Sequence, residues 1–207
     1  SAYRTQRRGG RGVNAMSTRE EDFVRHVFTA STHDNILFFS NLGKVYKLKG
    51  YQIPEAGRTA KGQNIVNLLE IEQGEKITAM FAIREFSYDK YMVFVTRQGV
   101  IKRVVLSDLQ NIRKVGLRAL SLAEGDLLVD VRLTDGLENI LIATHQGRAI
   151  TFDETEVRAM GRQAAGVRGI RLGEGDYVVG AARARQGAQV LSITENGYGK
   201  RTPVEEF

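Results

Sequence analysis

Four stretches of the chain share a pattern in which a short apolar run, a Gly-containing turn and a basic segment follow one another. They are ILFFSNLGKVYKLK (Ile36 to Lys49), MVFVTRQGVIKRVVL (Met92 to Leu106), ILIATHQGRAITF (Ile140 to Phe152) and VLSITENGYGKRT (Val190 to Thr202). Two runs rich in β-branched and aromatic residues, joined by a turn with glycine, are typical of a β-hairpin. The pattern therefore predicts four hairpins that recur with a period of roughly 50 residues.

A second pattern alternates with the hairpins and centres on a glycine that is followed, four residues later, by an apolar side chain. Its copies are RRGGRGVNAM (Arg7 to Met16), GRTAKGQNIV (Gly57 to Val66), IRKVGLRAL (Ile112 to Leu120) and GRQAAGVRGI (Gly161 to Ile170). We expect the last residue of each copy to point into the core. A third repeated pattern is typical of a turn that leads into a strand. Its copies are QGEKI (Gln73 to Ile77), EGDLLV (Glu124 to Val129) and EGDYVV (Glu174 to Val179).

Several short strands in each period of this length predict an all-β, propeller-like array of about four small sheets, or blades, of roughly 50 residues each. The predicted organisation is one repeat domain over residues 1–207. It consists of a half-unit at 1–30, units at about 31–85, 86–135 and 136–185, and a half-unit at 186–207. One helical turn is predicted between strands, around Glu154 to Met160. The two half-units are complementary, so the ends either meet and close a four-bladed ring or belong to a longer array; we favour the longer array.

The amino-acid composition limits the classes of function that the chain can have. The chain has 207 residues, of which 42% are hydrophobic and 26% charged, which is typical of a globular protein. It contains no cysteine, which excludes disulfides, thiolate zinc sites and cysteine nucleophiles. No apolar run approaches the roughly 18 residues that a membrane span needs. We expect a cytoplasmic protein with no membrane partner.

The formal net charge of +6 favours a polyanionic partner. Lysine and arginine follow the hairpin glycines in phase, at Lys47, Arg103 and Arg201 among others, and arginines recur in the second pattern. In-phase repetition would turn these residues into a basic belt that tracks phosphates, although edge lysines also simply protect strands from aggregation. The sequence has no interleaved basic and aromatic residues of the kind that hold single strands, so a duplex backbone is the better match.

The sequence offers little for catalysis. It has no phosphate-binding, dinucleotide-binding or nucleophile-elbow motif, and His26, His33 and His145 lack metal-ligand spacing. No nucleophile, base and orienting group can be assembled from the sequence. We expect no catalytic site, no metal, no cofactor and no small-molecule substrate in this chain.

The heptad QRRGGRG (Gln6 to Gly12), followed by VNAMSTREEDFV, resembles a motif of the C-terminal domain of the bacterial DNA gyrase A protein. GVIKR (Gly99 to Arg103), GYGKR (Gly197 to Arg201) and EGDLLV also resemble that family, and the resemblance covers essentially the whole chain. It implies a β-pinwheel of usually six blades with DNA bent around its basic perimeter, so that this chain would be a fragment of a longer domain. It also implies that the catalytic tyrosine of the nucleoid-associated, bacterial enzyme lies in the rest of gyrase A, and that its ATPase lies in the partner protein, gyrase B.

The resemblance, together with the charge pattern, implies that the domain wraps duplex DNA with a positive crossing, which the ATP-dependent enzyme converts into negative supercoils. We expect DNA contacts in the heptad, the hairpins and the second pattern. The residues are Gln6, Arg7, Arg8, Gly9, Gly10, Arg11 and Gly12, then Lys44, Lys47, Lys102, Arg103, Lys200 and Arg201, then Arg58, Lys61, Lys114, Arg118, Arg162 and Arg168.

Two alternatives stay open at this point. The first is the equivalent domain of topoisomerase IV, against which the intact heptad argues. The second is a protein-interaction propeller, whose rim would be mixed or acidic. The third hairpin has Ala149, Ile150 and Thr151 where the others are basic, so we expect weaker DNA contact at that blade.

Overall fold

The computed structural model describes residues 33–53, 67–113, 115–184, 189–193 and 199–203. This part of the chain is built of β-strands and three short 3-10 turns, which confirms the predicted all-β class. It contains no helix that is long and apolar enough to cross a membrane.

All four predicted hairpins are present. They pair β1 (Asn35–Ser40) with β2 (Lys44–Lys49), β4 (Tyr91–Thr96) with β5 (Val100–Val105), β8 (Asn139–Thr144) with β9 (Ala149–Asp153), and β12 (Gln189–Ile193) with β13 (Gly199–Pro203). In the first three, the turn glycine has a positive φ of 81 to 91°, which side chains rarely tolerate. A Ser or Thr side chain at the end of the first strand accepts a hydrogen bond from the amide after that glycine, and this closes the turn.

A third strand completes the inner side of each of the first three sheets. These strands are β3 (Ile77–Ile83), β7 (Leu128–Thr134) and β11 (Val178–Ala184), and each pairs with the first strand of its hairpin. Each begins after the predicted turn. In two of these turns an aspartate joins the turn to the hairpin, since Asp126 Oδ1 accepts from the Gln98 amide and Asp176 Oδ1 from the Gln146 amide, both at 2.9 Å. The turns are therefore fixed parts of the sheets and not free solvated loops.

A fourth, two-residue strand lies on the outer side of the first two sheets. β6 (Leu117–Arg118) pairs with β2, and β10 (Val167–Arg168) pairs with β5. Both strands come from the second pattern, and both follow the hairpin of the next unit in the sequence. The sheet orders are β3-β1-β2-β6, β10-β5-β4-β7, β11-β8-β9 and β12-β13. Each of the first two sheets is thus completed by a strand from the unit that follows it.

The core lies between neighbouring sheets. One apolar cluster joins the first sheet to the second through residues such as Phe39, Phe94 and Leu120, and another joins the second to the third through Val93, Ile142 and Ile170. Leu120 and Ile170 are buried, as the second pattern predicted. Because the second sheet packs on both faces, β5 has no solvent-facing side.

Three 3-10 turns follow the hairpins, at Gly50–Gln52, Leu106–Leu109 and Glu154–Glu156. The last of these lies within the predicted helical turn around Glu154 to Met160. Asp153 caps it by accepting a hydrogen bond from the Thr155 amide at 2.9 Å. Glu154 is 1% exposed, so this turn supplies a buried carboxylate to the contact between the second and third sheets.

Candidate nucleic-acid interface

The structure describes the side chains of seven residues predicted to contact DNA: Lys44, Lys47, Lys102, Arg103, Arg118, Arg162 and Arg168. The heptad residues Gln6 to Gly12, together with Arg58, Lys61 and Lys114, lie outside the described residues. Lys200 and Arg201 belong to β13, of which the strand alone is described.

Arg118 and Arg168 occupy equivalent positions on the outermost strands of the first and second sheets, and both side chains are exposed. Each follows a glycine with a positive φ, Gly116 at 86° and Gly166 at 90°. A Cβ on Gly116 would lie 2.6 Å from the Tyr46 ring, and one on Gly166 would lie 2.6 Å from the Ile101 carbonyl oxygen. Only glycine lets these segments approach the sheets so closely, so the two glycines fix where the arginines emerge.

Lys44 and Lys47 are half-buried on β2 and already have partners. Lys44 forms an ion pair of 2.7 Å with Glu72. Lys47 Nζ donates to the Gln110 carbonyl oxygen at 3.1 Å, and desolvation together with the nearby charge of Lys49 lowers the pKa of Lys47. These two lysines lie close to the outer strand, but their ammonium groups are shared with the protein.

Lys102 is buried, with 0% of its surface exposed, and the prediction that it belongs to an exposed belt is wrong. Its Nζ donates to the carbonyl oxygens of Ala119 at 3.0 Å and Arg162 at 2.6 Å. Burial lowers the pKa of Lys102 to about 8, because desolvation disfavours the charged form. No ion pair in the described part of the chain involves this lysine.

Arg103 points to the opposite face of β5 and is 8% exposed, so the prediction that it faces an outer belt is also wrong. Its Nε donates to the Val157 carbonyl oxygen at 2.8 Å, and its Nη1 pairs with Glu154 at 3.3 Å. The guanidinium also stacks on the Tyr91 ring, 4.3 Å from the centroid. Arg103 therefore joins the second sheet to the 3-10 turn of the third unit.

The position four residues after the turn glycine has one role in two sheets. Lys47 donates to the residue that ends the 3-10 turn of the second unit, and Arg103 donates to the residue that ends the 3-10 turn of the third. Thr151 stands at this position in the third hairpin, and its hydroxyl donates to the Ile140 carbonyl oxygen at 3.1 Å. In the first two hairpins the basic residue at this position thus contacts the next unit, and the expectation of weaker DNA contact at Thr151 stays a prediction.

Other exposed basic residues were missed. Arg113 lies in the segment before β6, and Arg158 and Arg171 flank the segment that carries β10. Arg162, which was predicted, lies in the latter segment and is half-buried. The signal for Arg113 was its place in the second pattern beside Lys114, whereas Arg158 and Arg171 fall outside any repeated position.

A stack of three side chains also escaped prediction. The Arg97 guanidinium lies 3.9 Å from the Tyr177 ring centroid, and the His145 ring stacks on Tyr177 at 4.6 Å with an interplanar angle of 10°. Arg97 and His145 come from the turns of neighbouring hairpins. The stack therefore joins the second unit to the third at the turn end of the sheets.

Asp135, Glu138 and Glu154 are the one group of carboxylates in the described ranges with ligand atoms close enough together to hold a metal ion. Each already has partners within the protein. Glu154 pairs with Arg103 and accepts from the Thr134 hydroxyl at 2.7 Å, while Glu138 pairs with Arg183 at 3.3 Å. We interpret Glu154 as the counter-ion of Arg103 at the contact between the second and third sheets, and Glu138 as the counter-ion of Arg183.

Comparison with known proteins identifies the family to which this fold belongs. A family model described as the DNA gyrase C-terminal domain, a β-propeller, matches residues 1–31, 34–84, 90–135, 138–185 and 188–207. The chain is 51% identical over 210 residues to the DNA gyrase A protein of Staphylococcus aureus strain NCTC 8325, covering 100% of this chain and 24% of that protein. The chain thus spans about a quarter of the length of the curated relatives it matches.

Solved structures give the same fold. The C-terminal domain of DNA topoisomerase IV is 34% identical with a TM-score of 0.76, covering 85% of this chain and 55% of that one. The C-terminal domain of DNA gyrase A is 28% identical with a TM-score of 0.66, covering 83% and 55% respectively. The predicted propeller-like fold and the family resemblance are both confirmed: the chain belongs to the DNA gyrase C-terminal domain family.

Proposed function

We propose that this chain binds the backbone of duplex DNA along the outer strands of its sheets. The observation that carries the proposal is the equivalent placement of two exposed arginines, Arg118 and Arg168, on the fourth strands of neighbouring sheets. Repetition of one cation at the same place on successive sheets suits the repeated phosphates of a duplex, and it requires no base contact.

The heptad Gln6 to Gly12 is the first copy of the segment that carries these arginines. It has three arginines and three glycines in seven residues, so it offers more charge and closer backbone approach than the other copies. We propose that this copy fastens the DNA while the outer strands that carry Arg118 and Arg168 guide it. Arg58, Lys61, Lys114 and Arg162, together with Lys200 and Arg201, belong to the same proposed surface.

In the intact enzyme, we propose that the domain bends DNA into a wrap with a positive crossing. Strand passage by the rest of gyrase A together with gyrase B and ATP would convert that crossing into negative supercoils. A bend of 40–90° over 20–30 base pairs costs on the order of 1–6 kcal/mol, and several phosphate contacts can offset it by releasing counter-ions. Binding should therefore be salt-sensitive and largely independent of sequence.

A second candidate is DNA binding of the topoisomerase IV type, without strong wrapping. The observation that favours it is the structural similarity to the topoisomerase IV C-terminal domain, with a TM-score of 0.76. The heptad argues for the gyrase type. The two candidates differ in the extent of DNA writhe that the chain stabilises.

A gel-shift titration of the 207-residue chain with duplex DNA at two salt concentrations tests binding. We expect binding at low salt that weakens steeply as salt rises. No binding at low salt, or an affinity that salt leaves unchanged, would refute the proposal.

A topology assay then tests wrapping. Nicked circular DNA is ligated in the presence of the chain, and the linking number of the product is compared with that of protein-free DNA. A positive shift supports the gyrase-type wrap, and it should be lost when Arg7, Arg8 and Arg11 are replaced by alanine. Binding without a shift supports the topoisomerase IV type.

A further inference from the structure

Lys102 donates hydrogen bonds to both of the segments that carry the fourth strands of the first and second sheets. The Ala119 carbonyl that it holds directly follows Arg118, on the strand that completes the first sheet. The Arg162 carbonyl that it holds begins the segment leading to Arg168, on the strand that completes the second sheet. One buried ammonium group thus touches both segments that present an exposed arginine.

The two segments have separate attachments elsewhere. The amides of Ala119 and Leu120 donate to the Gly43 carbonyl oxygen, whereas the amides of Gly169 and Ile170 donate to the Gly99 carbonyl oxygen. These bonds fix each segment to its own sheet, and none of them links one segment directly to the other. The hydrogen bonds of Lys102 connect them to each other.

The equivalent position in the first sheet uses another side chain and another arrangement. Tyr46 stands there, packs its ring beneath Gly116, and donates its hydroxyl to Glu75 at 2.7 Å. Tyr46 therefore supports one outer segment from below and joins it to the inner turn. Lys102 is the residue of this pair that reaches two outer segments.

A lysine is a poor choice for stability alone at this position. Desolvation penalises a buried ammonium, and an apolar side chain of similar volume often stabilises a protein as well or better. Polar groups in such places can instead specify one arrangement of the chain. The three donors of an ammonium suit carbonyl groups that approach from different segments.

We propose that Lys102 is a positioning residue for DNA binding, which sets the spacing between Arg118 and Arg168 without touching DNA. This inference rests on the proposed function. If so, Lys102, although it has no exposed surface, affects how many DNA phosphates Arg118 and Arg168 can contact at the same time.

The test is a double-mutant cycle on the 207-residue chain with duplex DNA. Lys102→Met removes the ammonium while retaining an unbranched side chain, and it is combined with Arg118→Ala and Arg168→Ala. In the background with both arginines, we expect Lys102→Met to raise Kd roughly fivefold and to make the plot of log K against log salt shallower by about one. In the background without the arginines, we expect Lys102→Met to leave Kd within about twofold, since its effect passes through them.

The matched control is Lys90→Met, which removes an exposed lysine that is not among the expected DNA contacts. We expect a smaller change in Kd and an unchanged salt slope. If Lys102→Met fails to fold, Lys102→Gln keeps an amide donor near the carbonyl groups and should give an intermediate slope.

An unchanged Kd and slope in folded Lys102→Met would overturn the inference, and so would an effect of equal size in both backgrounds, which would indicate bulk charge. Failure of the wild-type chain to bind DNA would instead refute the proposed function, so the two failures are distinguishable.

Discussion

The basic residues of the β5 strand and those of the outer strands recur with the same period, yet the structure gives them opposite environments. Lys102 and Arg103 are buried on the two faces of β5, whereas Arg118 and Arg168 are exposed on the fourth strands. The first pair contacts carbonyls and a carboxylate of neighbouring units, and the second pair faces solvent. In a repeat protein, therefore, basic residues that recur at one position can serve contacts between units as readily as they form a binding surface.

We expect the largest effect, on the free energy of unfolding, from removing a side-chain contact between units. We expect Arg103→Ala to lower the free energy of unfolding by about 3–5 kcal/mol, because Glu154 loses its cationic partner inside the protein. Urea unfolding followed by circular dichroism measures this. Arg168→Ala is the control, and its exposed position predicts a change within about 0.5 kcal/mol. Equal effects in the two variants would erase the contrast between buried and exposed arginines.

Removing the exposed pair should affect binding and not folding. We expect Arg118→Ala with Arg168→Ala to weaken DNA binding about tenfold or more at low salt and to reduce the salt slope by about two, since each phosphate contact contributes about 0.9. Fluorescence anisotropy with a labelled duplex at several salt concentrations measures both. A variant that binds like the wild type would remove these strands from the interface.

The buried lysine should make stability depend on pH. Burial lowers the folded-state pKa of Lys102 to about 8, below the value of about 10.4 for an unperturbed lysine, so the unfolded chain binds more protons between those values. Stability should therefore rise with pH over this window in the wild type, relative to Lys102→Met. Tyr46, whose pKa is raised by burial and by Glu75, titrates in both proteins and cancels in the difference.

Urea midpoints at pH 7, 8, 9 and 10 for the wild type and Lys102→Met give the pH profile. The difference in unfolding free energy should be flat below about pH 8 and rise above it. A flat profile across the whole range would show that the lysine is not desolvated in solution.

We expect the smallest effect, on DNA affinity, from adding a charge at the position that contacts the next unit in other hairpins. Thr151→Arg places an arginine at the position that is basic in the other three hairpins. If that position serves the contact between units, DNA affinity should stay within about twofold of the wild type, as expected for a site that contacts no phosphate. A clear gain in affinity, measured by the same anisotropy titration, would make this position of the third hairpin part of the proposed interface.

The sequence predicted the hairpins well because their signals are local. A glycine with positive φ, flanked by β-branched strands, specifies its own turn, and Gly43, Gly99 and Gly147 all behave this way. The pairing of each fourth strand with the sheet of the preceding unit could not be predicted in the same way. β6 and β10 have two residues each, too few to show an alternation, and their partners lie more than one unit earlier in the chain.

The error at Lys102 and Arg103 has the same physical origin. Alternation along a strand identifies a solvent face only when one face of the sheet is exposed. The second sheet packs on both faces, so both sides of β5 are interior, and a lysine and an arginine there need internal partners. Arg118 and Arg168 were predicted as contacts from their place in the second pattern, and their exposure keeps that prediction open.

The completion of each sheet by a later unit also sets an order of events during synthesis. The first hairpin can form as soon as Lys49 is made, but its sheet keeps an open edge on β2 until the ribosome has reached Arg118. The second sheet waits in the same way for Arg168. From Lys49 until Arg168 is made, at least one of these two sheets lacks its fourth strand, and exposed strand edges promote association between chains. Both sheets lack their fourth strand while residues 106–118 are being made, so a pause in translation there would expose two strand edges at once.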